Sequence, residues 1–174
     1  MALTKVRAGG YAAGGVVQIK HAQKTDTGTG ALSANTNTVI HTDLQVTITP
    51  TSTSSIIKLE GQIFGEHGNA VNVYDNLVFF YRDTTKLSAP VEGSRHSGVG
   101  TMTRTYEEAN ADSTPEFAHF AYFDSPSTTS AITYKLGILV TTAQTFYINR
   151  TVADANSSVS ERGTSFISAI EIAG

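Results

Sequence analysis

The sequence predicts an all-β fold: an antiparallel β-sandwich, jelly-roll-like, with an extended N-terminal arm. Three observations predict it. Apolar and polar residues alternate with the period of two that a half-buried strand needs, most clearly in "SAITYKLGILV", where Ile132, Tyr134, Leu136, Ile138 and Val140 share one side. Clusters of Gly, Pro, Asn, Asp, Ser and Thr separate about eight such runs at intervals of roughly 8–12 residues, the rhythm of a sandwich or barrel. No stretch of ten residues sustains the three-and-four apolar spacing of a capped helix.

Residues 1–15 are Gly- and Ala-rich with little periodicity, and read as an arm preceding a single domain over residues 16–174. "VVQIKH" (Val16 to His21) is a short strand, and the turn formers from Lys24 to Asn37 read as a loop. "VIHTDLQVTITP" is a strand with Leu44, Val46 and Ile48 on one face, ended by Pro50. After "TSTSS", "IIKLEGQIFG" returns with Ile57, Leu59, Gly61 and Ile63 on one face, which predicts a β-hairpin. "LVFFYR" is apolar on both sides, as in a central strand covered on both faces. Residues 84–115 are polar and irregular, with a weak strand near "VGTMTRTY". "EFAHFAYFD" sets Phe117 and His119 opposite Ala118, Phe120 and Tyr122. "SAITYKLGILV", "TFYINR" and "TSFISAIEIAG" complete the set, the last with Phe166, Ser168, Ile170 and Ile172 on one side. "TPTSTSS" and "SPSTTS" read as hairpin turns at one end of the sandwich.

In 174 residues, 40% hydrophobic content is enough for one core, while 16% charged residues is low for a globular chain. Ser and Thr take up the difference. A net charge of -3 with scattered basic residues argues against a nucleic-acid surface. The absence of cysteine excludes disulfides, thiolate metal sites and a cysteine nucleophile. No segment approaches the ~20 apolar residues of a membrane helix, and the first residues lack the apolar run of a secretion signal, so a soluble chain without a cleaved leader is expected.

Candidate chemistry is sparse. Of the five histidines, none is spaced as a metal pair; His41 and His119 read as strand residues, and no metal or cofactor is expected. Ser, His and Asp are present but no G-x-S-x-G elbow is. Glu107 and Glu108 near Asp112 could be a carboxylate pair but read as a solvated turn. "GVG" (Gly98 to Gly100) is too short for a phosphate loop. "NRT" and "NSS", from Asn149 and Asn156, match the glycosylation triplet incidentally. Asp154 and Asn156 lack calcium-loop spacing. The candidate contact surface is therefore the loops 65–70 and 92–112, with His67, Asn69, Arg95, His96, Tyr106 and Glu107 as its residues.

One resemblance joins these pieces. The ordered blocks "TDLQVTITPTSTSSIIKLEGQI", "NLVFFYRD", "FDSPSTTSAITYKLGI", "YINR" and "RGTSFISAIEIAG" resemble the C-terminal domain of bacteriophage tail fibre-like proteins, over roughly residues 24–174. The resemblance implies a non-enzymatic homotrimeric knob on the virion exterior, whose strands bury one face within the subunit and present another to its neighbours. Its expected partners are itself, another virion protein of the tail, baseplate or capsid, and a host-surface glycan or protein. The arm, with Leu3, Val6, Arg7 and Tyr11 as anchors, would attach it. Because no long shaft precedes the domain, a capsid decoration or head-fibre role is the alternative placement, and a virion glycan hydrolase or esterase is the third.

Overall fold

The computed structural model describes residues 12–68, 75–102 and 113–174. They form two antiparallel sheets. The first contains β1 (Val16–Lys24), β2 (Gly28–Leu32), β5 (Ile56–His67), β9 (Glu116–Asp124), β11 (Gln144–Ile148) and β12 (Ser165–Ile172). The second contains β3 (Thr38–Val39), β4 (Gln45–Ile48), β6 (Leu77–Arg82), β7 (Thr85–Leu87), β8 (Gly100–Thr101) and β10 (Ile132–Leu139). The first sheet runs β1-β12-β5-β11-β2, with β9 on the opposite edge of β5. The second runs β3-β10-β6-β7, with β4 beside β3 along β10 and β8 on β6. No helix occurs among the described residues.

The apolar faces predicted for β4, β5 and β10 are buried, whereas the side shared by Phe166, Ser168, Ile170 and Ile172 on the closing strand turns outward and leaves Ile167 and Ala169 in the core. Leu44, Val46 and Ile48, then Ile57, Leu59 and Ile63, then Ile132, Tyr134, Leu136 and Ile138 meet in one core between the sheets. β10 is covered on its second face too, because Gly137 lacks the Cβ that would strike the Phe79 ring. Leu139 on that side is buried. A period of two is enough to identify these faces because successive strand side chains point to opposite sides.

Several predicted connections are different. "VIHTDLQVTITP" is two strands, β3 and β4, separated by a turn in which Leu44 N–H donates to the His41 carbonyl at 3.2 Å. Residues 24–37, expected as a loop, include β2, which pairs with β11 and whose Gly30 lies where a Cβ would meet the Ile40 carbonyl oxygen at 2.9 Å. The expected hairpin does not form: β4 pairs with β10 in one sheet and β5 with β9 and β12 in the other. The "TSTSS" turn therefore crosses the sandwich, and "SPSTTS" does the same between β9 and β10. A hairpin and a crossing arch can have the same alternation on both sides of a short polar turn. Here the decision falls to Glu171 on β12, buried beneath the turn. Its carboxylate accepts from Thr51 N–H (2.6 Å), Thr51 Oγ1 (2.7 Å) and Ser55 Oγ (2.7 Å), holding the turn over the first sheet.

A second clamp joins the sheets at the other crossing. Asp124 at the end of β9 accepts from Arg82 Nη1 at 3.0 Å and from the Tyr134 hydroxyl at 2.7 Å. Burial first, and then this bond to Asp124, push the Tyr134 hydroxyl well above the usual tyrosine range.

The register gives the sandwich two distinct ends. At one end lie Val16, Ile172 and Ile56, which are paired in sequence across three strands, together with both hydroxyl turns. Gly14 N–H donates to Ala173 O (2.7 Å) and Ala173 N–H to Gly15 O (2.8 Å), so the last residues of the expected arm are already tied to this end. Leu3, Val6, Arg7 and Tyr11 lie outside the described residues. At the other end, some 35 Å away at ~3.3 Å per residue along β5, lie His67 and the start of β6 with the loops around it.

The outward face of the first sheet carries large apolar side chains among polar ones. β9 points Phe117 (68% exposed) and Phe123 (61%) away from the core, and β1 does the same with Ile19 (56%). β12 places Phe166, Ile170 and Ile172 outward, while its inward positions include Ser165 and Glu171. Phe123, Lys58, Ile170 and Ile19 form one cross-strand row, and Phe117 lies opposite Phe64. The central charges, Lys58 and Glu60, pair with each other at 2.7 Å.

Candidate functional site

The end remote from Gly14 has an open concavity of about 650 Å³ lined by Asp75, Leu77, Ser94, Arg95, His96, Thr101 and Thr141. Four pieces of chain converge there. Leu77 opens β6 and Thr101 closes β8, the two being direct partners in the ladder. Thr141 follows β10, where Leu139 pairs with Leu77. Among the described residues, the other wall is the loop between β7 and β8. Ala89 N–H to Gly98 O (3.2 Å) and the Ser88–Ser97 hydroxyl pair (3.0 Å) close its neck. Gly98 is needed at that neck because a Cβ would press on Leu77 and on the Val78 carbonyl, both at 3.0 Å.

The tip of the loop is a tight turn. Arg95 N–H donates to the Glu92 carbonyl at 3.3 Å, and Gly93 takes the left-handed φ of +61° that the turn requires. One guanidinium nitrogen of Arg95, Nη1, also reaches the Glu92 carbonyl at 3.3 Å, which steadies the side chain. Arg95 makes no ion pair among the described residues. Asp75, across the concavity at a φ of +65°, makes none either. An acid and a base thus line one opening without neutralising each other.

Of the expected contact residues, Arg95 and His96 are both exposed and both line this concavity. Asn69, Tyr106 and Glu107 lie outside the described residues. His67 is placed differently from expectation: β5 runs through it, it is 1% exposed, and its ring stands edge-on to Phe146 at 4.9 Å. The glycines that suggested a loop there have another cause. A Cβ on Gly65 would land on the Tyr147 carbonyl oxygen, and one on Gly68 would meet the Thr145 carbonyl at 2.7 Å. They admit the close passage of β11 rather than mark a turn.

The remaining polar candidates are structural. Asn149 of "NRT" is buried in a left-handed conformation (φ 60°); its amide donates to the Lys24 and Asp26 carbonyls at 2.8 Å each, and its Oδ1 accepts from Ser165 at 2.8 Å. A side chain so enclosed cannot carry a glycan in the folded chain. Asp154 is held by Arg150 at 3.0 Å and Arg162 at 2.5 Å, a setting that opposes calcium. No group of three potential metal ligands occurs among the described residues. His41 lies in a turn, its Nδ1 accepting from Asp43 N–H at 3.2 Å, and His119 is exposed on the outward face of β9.

Two buried carboxylates escaped the sequence reading. Glu66 accepts from Thr114 N–H (3.0 Å), Thr114 Oγ1 (2.8 Å) and Val152 N–H (2.8 Å), anchoring the approach to β9 and the loop after β11. Glu171 secures the opposite end. For Glu171 the available signal was an acid at an inward position of a regular strand, near a hydroxyl-rich turn able to donate; Glu66 has the outward parity of Phe64 on β5, so alternation gave no sign of its burial. Comparison with protein-family models and with curated proteins finds no match to this chain.

Proposed function

We propose that this chain is a non-enzymatic, homotrimeric knob on the exterior of a phage virion, of the tail fibre-like kind, fixed by its N-terminal arm and presenting its far loops to the host surface. The polarity of the sandwich is the observation that carries this reading. The chain enters β1 at the end where Gly14 and Gly15 bond Ala173. The concavity with Arg95 and His96 opens at the opposite end. A module that is held at one end and makes contact with the other needs this arrangement. The large exposed side chains on the outward face of the first sheet, Phe117, Phe123 and Ile19, support self-association, since exposed apolar groups rimmed by polar residues mark interaction surfaces.

Immunogold electron microscopy of intact particles, with antibody against this chain, tests the placement. Gold at the tail tip is the expected result. Gold over the head moves the protein to the decoration or head-fibre role, with the arm lying along the capsid. Particles that stay unlabelled by a working antibody remove the virion reading.

A further inference from the structure

We infer that the concavity at the far end is a saccharide site, with Asp75 and Arg95 as its two principal polar contacts. The inference rests on the reading of that end as the contact end, and it names the ligand chemistry.

Charge restricts the ligand first. Asp75 and Arg95 line the same opening but make no ion pair with each other, so their oxygens and nitrogens stand more than the 4.0 Å of a salt bridge apart. A phosphate or other anion attracted by Arg95 would be repelled by Asp75, and a simple cation would meet the reverse. A ligand with closely spaced groups that both donate and accept satisfies the pair. Vicinal hydroxyls on a pyranose ring do this: two O–H groups can donate to the Asp75 carboxylate while neighbouring oxygens accept from the guanidinium fork.

The rest of the lining fits the same ligand. Ser94, Thr101 and Thr141 contribute hydroxyls that donate or accept by rotation. Leu77 supplies an apolar patch against which the C–H face of a sugar ring can lie. The volume, about 650 Å³, is within the ~300–1,000 Å³ of small-ligand sites. Pre-ordering comes from the ladder pair Leu77–Thr101 and from the closed neck at Ser88 and Ser97, so little loop entropy is lost on binding.

Saturation-transfer NMR on the full chain tests this. The probes are glucose, galactose, mannose, N-acetylglucosamine and glucuronic acid, followed by an array of bacterial surface polysaccharides. At least one saccharide is expected to bind. Asp75→Asn and Arg95→Ala should each weaken it tenfold or more while leaving thermal stability and sedimentation unchanged. Asn tolerates the left-handed backbone at position 75, so that variant should fold. Four outcomes overturn the inference: no saccharide binding at millimolar concentration; binding indifferent to both substitutions; binding only of sulfated or phosphorylated polyanions that salt abolishes; or binding of amino acids but no sugar. A chain shown to be trimeric and on the virion that binds no saccharide loses this inference alone. Saccharide binding by a chain absent from particles leaves the site standing and removes the virion reading.

Discussion

The Glu171 carboxylate receives four hydrogen bonds: two from Thr51, one from Ser55 and one from Gln18 Nε2. Burial alone would push its pKa up, but the donated bonds from Ser55, Gln18 and Thr51 outweigh it and hold the pKa below the usual glutamate range. The unfolded chain therefore takes up this proton before the folded one does. The stability that Glu171 contributes is complete above its unfolded pKa, near 4.5, and is lost as pH falls through the lower folded value. Glu171→Gln keeps one acceptor and turns an N–H₂ toward existing donors, a buried mismatch worth about 2–4 kcal/mol. Urea titrations at pH 7 should show that loss, and the gap between wild type and variant should narrow below pH 4.5. An equal gap at every pH would mean that the ionised carboxylate does not hold the turn. Tyr134→Phe is milder: it removes one of the donors to Asp124 but leaves Arg82 in place, so about 1–2 kcal/mol is expected in the same titrations.

At the scale of elements, the core faces of β4, β5 and β10 were legible in the sequence, while the inward side of β12 and the strand partners were not. Ile57, Leu59 and Ile63 could be assigned to one side because strand geometry makes that a local property. Whether "TSTSS" closes a hairpin or crosses the sandwich depends on Glu171, more than a hundred residues away along the chain, and alternation has no information about that. The same difficulty explains His67, where glycines indicate a turn when read locally but accommodate β11 in the fold. At the concavity, Arg95 and His96 were found from loop composition, whereas Asp75 and Thr141 join them only through the pairing of β6 with β8 and β10. Gly65 tests this reading of the glycines. It pairs with Ile148 on one side and Glu116 on the other, and any Cβ there meets the β11 backbone, which cannot yield as a side-chain tip could. Gly65→Ala should destabilise by about 1–3 kcal/mol or more, with hydrogen exchange accelerated in β11 before the β1–β12 pair. If Ala is tolerated at position 65 with β11 protection intact, the glycine does not serve this close passage.

For the whole molecule, the proposed trimer makes its prediction through the outward face of the first sheet. A chain without cysteine cannot be stapled by disulfides, and its largest exposed side chains include Phe117, Phe123 and Ile19, all on that face. The paired Lys58 and Glu60 at its centre leave the face without net charge from these two residues, so copies can approach without repulsion there. A protomer that folds only partly stable alone and gains the rest by trimerisation must show mass action. For three chains, each tenfold rise in protein concentration adds about 1 kcal/mol per protomer, two thirds of the ~1.4 kcal/mol that a factor of ten represents. At this chain length that raises Tm by about 2–4 °C. The wild-type chain should therefore melt progressively higher from micromolar to hundred-micromolar concentration and sediment as a trimer. Phe117→Lys with Phe123→Lys places two charges on an exposed edge strand, a substitution that edge strands accept. The double variant should keep its fold, sediment as a monomer and melt at a temperature independent of concentration. A flat Tm and a monomeric mass for the wild type would overturn assembly through this face.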